Sequence, residues 1–105
     1  MKELKTLEVV AWRELLSIQA KMIISRKVYE DQQTTLVMFA AGAGEEISSE
    51  KYAKTVVYSV LDGVIECEME QTTVQILAGS YFKIPPDCEH RLQFSQDCRF
   101  LMLIK

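Results

Sequence analysis

A chain of 105 residues forms one small domain and buries roughly 65% of its extended surface on folding, which supports one core and not two. Its 12 Lys and Arg against 15 Asp and Glu give a formal charge of −3, which argues against a nucleic-acid partner held by phosphate neutralisation. The longest uncharged run, Gln32 to Gly44, has 13 residues, short of the about 20 that a bilayer helix needs, and Met1-Lys2-Glu3-Leu4-Lys5 leads into no apolar signal region. A cytoplasmic protein with no membrane partner is expected.

The segment from Leu4 to Leu16 alone shows helical spacing, with Leu7, Val10, Trp12, Leu15 and Leu16 on one side. It predicts a short helix around Trp12 to Leu16, or an edge strand before it. From Lys21 the period changes to two. Met22 to Tyr29 and Thr34 to Phe39 read as strands across a polar Glu30 to Gln33 turn, and Gly42 and Gly44 then break the chain. Thr55 to Leu61 and Val64 to Glu70 flank Asp62-Gly63, the strongest short hairpin signal. Strands at Thr73 to Leu77, Tyr81 to Ile84, His90 to Phe94 and Cys98 to Ile104 follow, with turns at Ala78-Gly79 and Pro85-Pro86-Asp87. Eight or nine short strands at such spacing predict an all-β barrel or sandwich.

The hairpin predicts Leu61 opposite Val64, Val60 opposite Ile65, Tyr58 opposite Cys67 and Val56 opposite Met69. Glu66, Glu68 and Glu70 belong in water, so Val56, Tyr58, Val60, Ile65, Cys67 and Met69 face inward. The same alternation sends Glu89, Arg91 and Gln93 outward and His90, Leu92 and Phe94 inward. His90 is the one histidine of the chain, so a site with two or more histidines cannot come from one copy. Cys67, Cys88 and Cys98 are an odd number at scattered spacings and read as free thiols, mainly small core residues.

Two stretches carry a family resemblance. Gly79, five residues, Pro85, Pro86, Asp87, two residues and His90 match the second cupin motif, with Asp87 in place of its middle glycine. Gly44, five residues, Glu50-Lys51-Tyr52, three residues, Val56, six residues and Gly63 keep every spacing of the first motif but not its ligands. The chain therefore resembles the cupin superfamily in a small single-domain form with a degenerate metal motif. The resemblance implies an RmlC-like double-stranded β-helix (jelly roll) over residues 20–105 of a single 1–105 domain, with residues 1–19 as an N-terminal extension.

In metal-binding cupins four side chains hold the ion, and the matching positions here are Glu50, Tyr52, Val56 and His90. Val56 cannot ligate, and Tyr52 ligates only if it deprotonates, so neither metal nor cofactor is expected. A divalent ion on Glu50 and His90, with or without Cys88, is the alternative. His90 then has three readings: hydrogen-bonded to Glu50 or Tyr52, a general acid or base, or a metal ligand. Glu50 either stands beside His90 or joins Glu45, Glu46 and Lys51 in a solvated loop, where Ser48-Ser49 permits a slip of register. Tyr58 and Cys67 either pack in the core or line a pocket.

The leading expectation is a small-molecule binder, a sensor or carrier, with a pocket of Glu50, Tyr52, Val56, Tyr58, Cys67, Met69, His90, Leu92 and Phe94. The alternatives are an epimerase-like enzyme with His90 as base and Tyr52 or Tyr58 as acid, a metalloenzyme, or a pure dimerisation module. A homodimer is expected, since a lone small barrel buries little area. Ile23, Val37 and Phe39 suit such an interface, and Trp12 with Leu15-Leu16 either joins it or caps the barrel bottom.

Overall fold

Alternating β-branched and aromatic residues make strands when one side of the alternation can be buried, and strands dominate the computed structural model, which describes residues 6–105. One helical turn, α1 (Trp12–Leu15), precedes β1 (Ile23–Glu30), β2 (Thr35–Ala41), β3 (Glu46–Glu50), β4 (Val56–Asp62), β5 (Val64–Met69), β6 (Thr72–Leu77), β7 (Tyr81–Ile84), β8 (His90–Gln93) and β9 (Cys98–Ile104). They form a five-stranded sheet in the order β1-β2-β9-β4-β7 and a four-stranded sheet in the order β3-β8-β5-β6, and every pairing is antiparallel. Strands and corners therefore lie close to where the alternation and the turn residues put them. Met1 to Lys5, with the signal-region reading and Leu4 of the helical spacing, lie outside the described residues.

The Asp62-Gly63 corner corrects one expectation. β4 and β5 do not pair: β4 lies between β9 and β7 in one sheet, and β5 between β8 and β6 in the other. Tyr58 stands opposite Met102 and Phe82 rather than Cys67, and Val60 opposite Phe100 rather than Ile65. Cys67 stands opposite Val74 and Leu92, and Met69 opposite Thr72. The turn passes the chain from one sheet to the other. It needs glycine, because Gly63 has φ +83° and a Cβ there would lie 2.2 Å from the Asp97 carbonyl oxygen. The inward parity survives the wrong pairing because both sheets turn alternate residues into the same interior.

That interior holds Val56, Tyr58, Val60, Ile65, Cys67, Leu92, Phe94, Phe100 and Met102, all buried. Phe100 stacks on Phe39 at 4.8 Å between ring centroids and on Phe94 at 5.5 Å, and meets Tyr58 edge-on at 5.9 Å. Ile23, Val37 and Phe39, read above as interface candidates, pack against this core instead. The N-terminal segment makes only one turn of helix: Trp12 stays 37% exposed, and no side chain caps the turn at Ala11. Of the two local forms expected here the short helix is the one formed. β3, absent from the sequence reading, has the pattern Glu-Ile-Ser-Ser-Glu on a sheet edge, where Ile47 alone is an apolar residue packed against the core.

Candidate functional site

The site lies where three segments meet at one end of the barrel: the end of β3, the β5–β6 turn and the loop leading into β8. β8 starts at His90, and alternation with Leu92 turns its ring inward, leaving it 2% exposed. The Pro85-Pro86-Asp87 turn sets the entry to β8. Asp87 takes φ +63°, the left-handed conformation that Asp tolerates, and its N–H donates to the Tyr52 carbonyl at 2.7 Å. This bond ties the β7–β8 loop to the β3–β4 loop.

Two hydrogen bonds fix the His90 ring. Nδ1 lies 3.0 Å from the Cys88 carbonyl oxygen, which only accepts, so Nδ1 carries the proton. In the neutral ring Nε2 is then the acceptor, and the Tyr58 hydroxyl 2.8 Å away donates to it. Burial is the main reason that the Tyr58 phenol is held far above its ordinary range, with smaller contributions from Tyr52, Cys67 and Glu50. The partner of His90 is therefore neither Glu50 nor Tyr52, the two expected from the sequence. Glu50 is its strand neighbour, across a register shift between Ile47 and Glu50 at the Ser48-Ser49 step. Its carboxylate accepts from the Tyr52 hydroxyl at 3.1 Å. Burial first, then the Glu50 charge and this bond, push the Tyr52 phenol up to about 12.

Outside this polar cluster an open depression of about 1050 Å³ spreads over the barrel end. Of the nine residues expected to line a pocket, Met69 and His90 border it, whereas Val56, Tyr58, Cys67, Leu92 and Phe94 lie in the packed core and Glu50 and Tyr52 are half-buried beside His90. Its rim includes Glu68, Glu70, Asp87 and Glu89 against Lys51 and Arg91. Arg91 Nη2 holds both Glu68 carboxylate oxygens, at 3.1 and 3.0 Å, and Ser49 Oγ donates to Glu89 at 2.7 Å. Sequence reasoning missed this rim because outward-facing charges on strands read as ordinary solvated surface. The cysteines are free thiols; burial pushes Cys67 up to about 11 and Cys98 to about 12, and Cys88 is half-buried at the site.

No family model matches the sequence, and neither does any curated protein. Solved structures do match. A conserved protein of unknown function from Streptococcus pyogenes superposes with a TM-score of 0.91 at 18% identity, covering 98% of this chain and 90% of that one. A cupin superfamily protein from Desulfitobacterium hafniense superposes with a TM-score of 0.90 at 16% identity, covering 98% and 94%. The chain has the cupin fold. A Klebsiella pneumoniae protein with a double-stranded β-helix domain, at a TM-score of 0.78 and 19% identity over 91% and 87% of the two chains, has the same architecture.

Within this cupin barrel the donor set does not fit a mononuclear metal ion. Val56 offers no donor, the Tyr52 phenol stays protonated through neutral pH, and His90 Nε2 already accepts from Tyr58. Cys88, His90 and Glu50 do not form a ligand set: among the described residues, no group of three or more His, Cys, Asp or Glu stands where it could hold a metal. Nor is any helix among the described residues long and apolar enough to cross a membrane.

Proposed function

We propose that this cupin barrel binds a small polar molecule at its open end, without a metal, in the depression bordered by Met69 and His90. The observation that carries the reading is the depression itself: about 1050 Å³ of open space directly over the one buried histidine. Ligand sites combine a little apolar surface with a few fixed polar groups, and Met69, Cys88 and the edge of His90 stand here among a charged rim. Four carboxylates against two cations favour a neutral or cationic hydrogen-bonding ligand over an anion. The aromatic core beneath keeps the ligand at the mouth rather than deep inside. A sensor or carrier role fits such a site.

A second reading, acid–base catalysis by His90 with a tyrosine, is favoured by one observation: the 2.8 Å bond between Tyr58 and Nε2, which couples a base to a phenol. A substrate would have to displace the Tyr58 hydroxyl to reach Nε2. Tyr52, with its ring centroid 6.3 Å from that of His90, lies on the Glu50 side. NMR amide shifts recorded during a screen of polyols, amines and amino acids test the binding proposal. Shifts clustered at Met69, Cys88 and His90, and lost in Met69→Arg, are expected. A compound that binds equally well to Met69→Arg, or a screen that never moves these amides, overturns it.

A further inference from the structure

The chain contains no asparagine, and among its four aspartates only Asp62 precedes a glycine. Glycine has no side chain to block its nitrogen, so Asp-Gly is the least hindered setting for one spontaneous reaction of the main chain. The glycine nitrogen attacks the aspartate Cγ, a C–N bond forms, and the amide hydrogen leaves with the carboxyl hydroxyl as water. Water then returns to the succinimide ring at the former main-chain carbonyl and cleaves the C–N bond there. The chain now runs through Cβ and Cγ, as isoaspartate, with no net change in mass. The corner between the sheets imposes this dipeptide. A Cβ at position 63 would lie 2.2 Å from the Asp97 carbonyl oxygen and 3.0 Å from the Cys98 Cα, so the residue after Asp62 has to be glycine.

The surroundings of Asp62 oppose what the reaction needs. Arg99 Nη1 donates to Oδ2 at 2.9 Å and Arg13 Nη2 to Oδ1 at 3.3 Å, so both carboxylate oxygens are held. Arg99 stands opposite Asp62 in the β4–β9 register, and its Nε donates to the Leu16 carbonyl at 2.9 Å, which fixes the guanidinium in turn. Its side chain is 16% exposed, against 78% for Arg13, so Arg99 is the firmer hold. An ionised carboxylate has no hydroxyl to lose as water, and the Arg99 hydrogen bond above all keeps the Asp62 carboxyl below its ordinary range. We propose that Asp62-Gly63 is a latent isoaspartate site and that Arg99 guards it by tethering the carboxylate to β9. Conversion lengthens by one carbon a corner that has no space for a Cβ at Gly63. The new carboxylate sits directly on Cα, one carbon short of the arginines, so the N-terminal segment loses the hold that Arg13 gives it.

Peptide mapping by mass spectrometry, with enzymatic methylation of isoaspartyl carboxylates, tests the proposal on the full chain held at physiological temperature and neutral pH. In the urea-unfolded chain isoaspartate should accumulate at Asp62 ahead of Asp31, Asp87 and Asp97, and the folded chain should convert more slowly. Arg99→Gln should speed conversion at Asp62 about fivefold, the factor equivalent to the about 1 kcal/mol of a partly exposed ion pair. Succinimide, one water lighter than the chain, should rise with it. Arg13→Gln, at an exposed position, should have a smaller effect. Leu103→Ala, further along β9 from Asp62, lowers stability without touching the tether and should leave the folded rate as in wild type. If Arg99→Gln does not fold, Arg99→Lys repeats the test with the charge kept and the Leu16 bond lost, and a rate above wild type is again expected. A folded Arg99 variant that converts no faster than wild type overturns the guarding role, as does Leu103→Ala converting as fast as that variant. Isoaspartate that forms first at another aspartate, or a wild-type folded chain that converts as fast as the unfolded one, overturns the assignment of the site.

Discussion

The two ends of one barrel interior are built from the same strands and do opposite things. Toward the other end Phe39, Phe94 and Phe100 stack with no polar atom among their side chains. At the open end, Tyr58, His90, Tyr52 and Glu50 fill the same kind of inward positions with hydrogen-bonding groups. Tyr58 belongs to both: its ring meets Phe100 edge-on at 5.9 Å, and its hydroxyl reaches His90. Polarity inside a barrel is stable when its groups find partners, since an unpaired buried donor costs about 1–3 kcal/mol. At the open end the inward groups bond one another, while Arg91 Nε at the rim is buried without a partner.

The largest expected effect is in the aromatic stack. Phe100→Ala removes the ring that touches Phe39, Phe94 and Tyr58, and it should cost about 3–5 kcal/mol in urea unfolding. A loss under about 1 kcal/mol would break the view that this stack supplies the packing. At the open end Tyr58→Phe keeps the ring and orphans His90 Nε2, so a smaller cost of about 1–3 kcal/mol is expected, with a changed Nε2 chemical shift in long-range 15N spectra. An unchanged Nε2 shift would show that the hydroxyl is not its partner.

A third expectation concerns pH. The unfolded chain releases the Tyr52 proton near 10, whereas the folded chain holds it to about 12. Between these values the folded state binds more protons, so stability should fall as pH rises through the window. Thermal melts from pH 9 to 12 measure this, with phenolate absorbance as a check. Glu50→Gln should narrow the window without closing it, because burial rather than the Glu50 charge is the larger cause. The smallest effect belongs to the surface tie: the Arg99–Asp62 pair is partly exposed, so Asp62→Asn should cost at most about 1 kcal/mol by chemical denaturation, less at high salt. Its contribution exists while Asp62 is ionised and fades as pH drops through the carboxylate range, which the Arg99 hydrogen bond shifts downward.

Much of the fold was legible because its signals are local. Alternation put His90, Leu92 and Phe94 on the inside, and Gly63 and Asp87 marked corners that only left-handed backbone can turn. The hairpin was misread for an equally physical reason: Asp-Gly reports a tight turn, not the fate of the strands beyond it. β4 has two edges, and β9, some 40 residues away, and β7 occupy them. The site was legible only in part. Spacing picked out Glu50, Tyr52, Val56 and His90, but Glu66, Glu68 and their outward neighbours read as plain solvated faces. The half of that surface that borders the depression became visible only when β3, β5 and β8 were brought together.

Local patterning in the sequence marks every strand but β3, the corners and the inward direction of the single histidine, because each depends on residues close together in the chain. Long-range packing sets which strands share an edge, puts Tyr58 rather than Glu50 or Tyr52 on His90, and fills the interior beneath an open mouth. Those choices are settled by contacts between residues distant in the chain, such as Tyr58 and His90, 32 positions apart. Local propensity carries no record of such contacts.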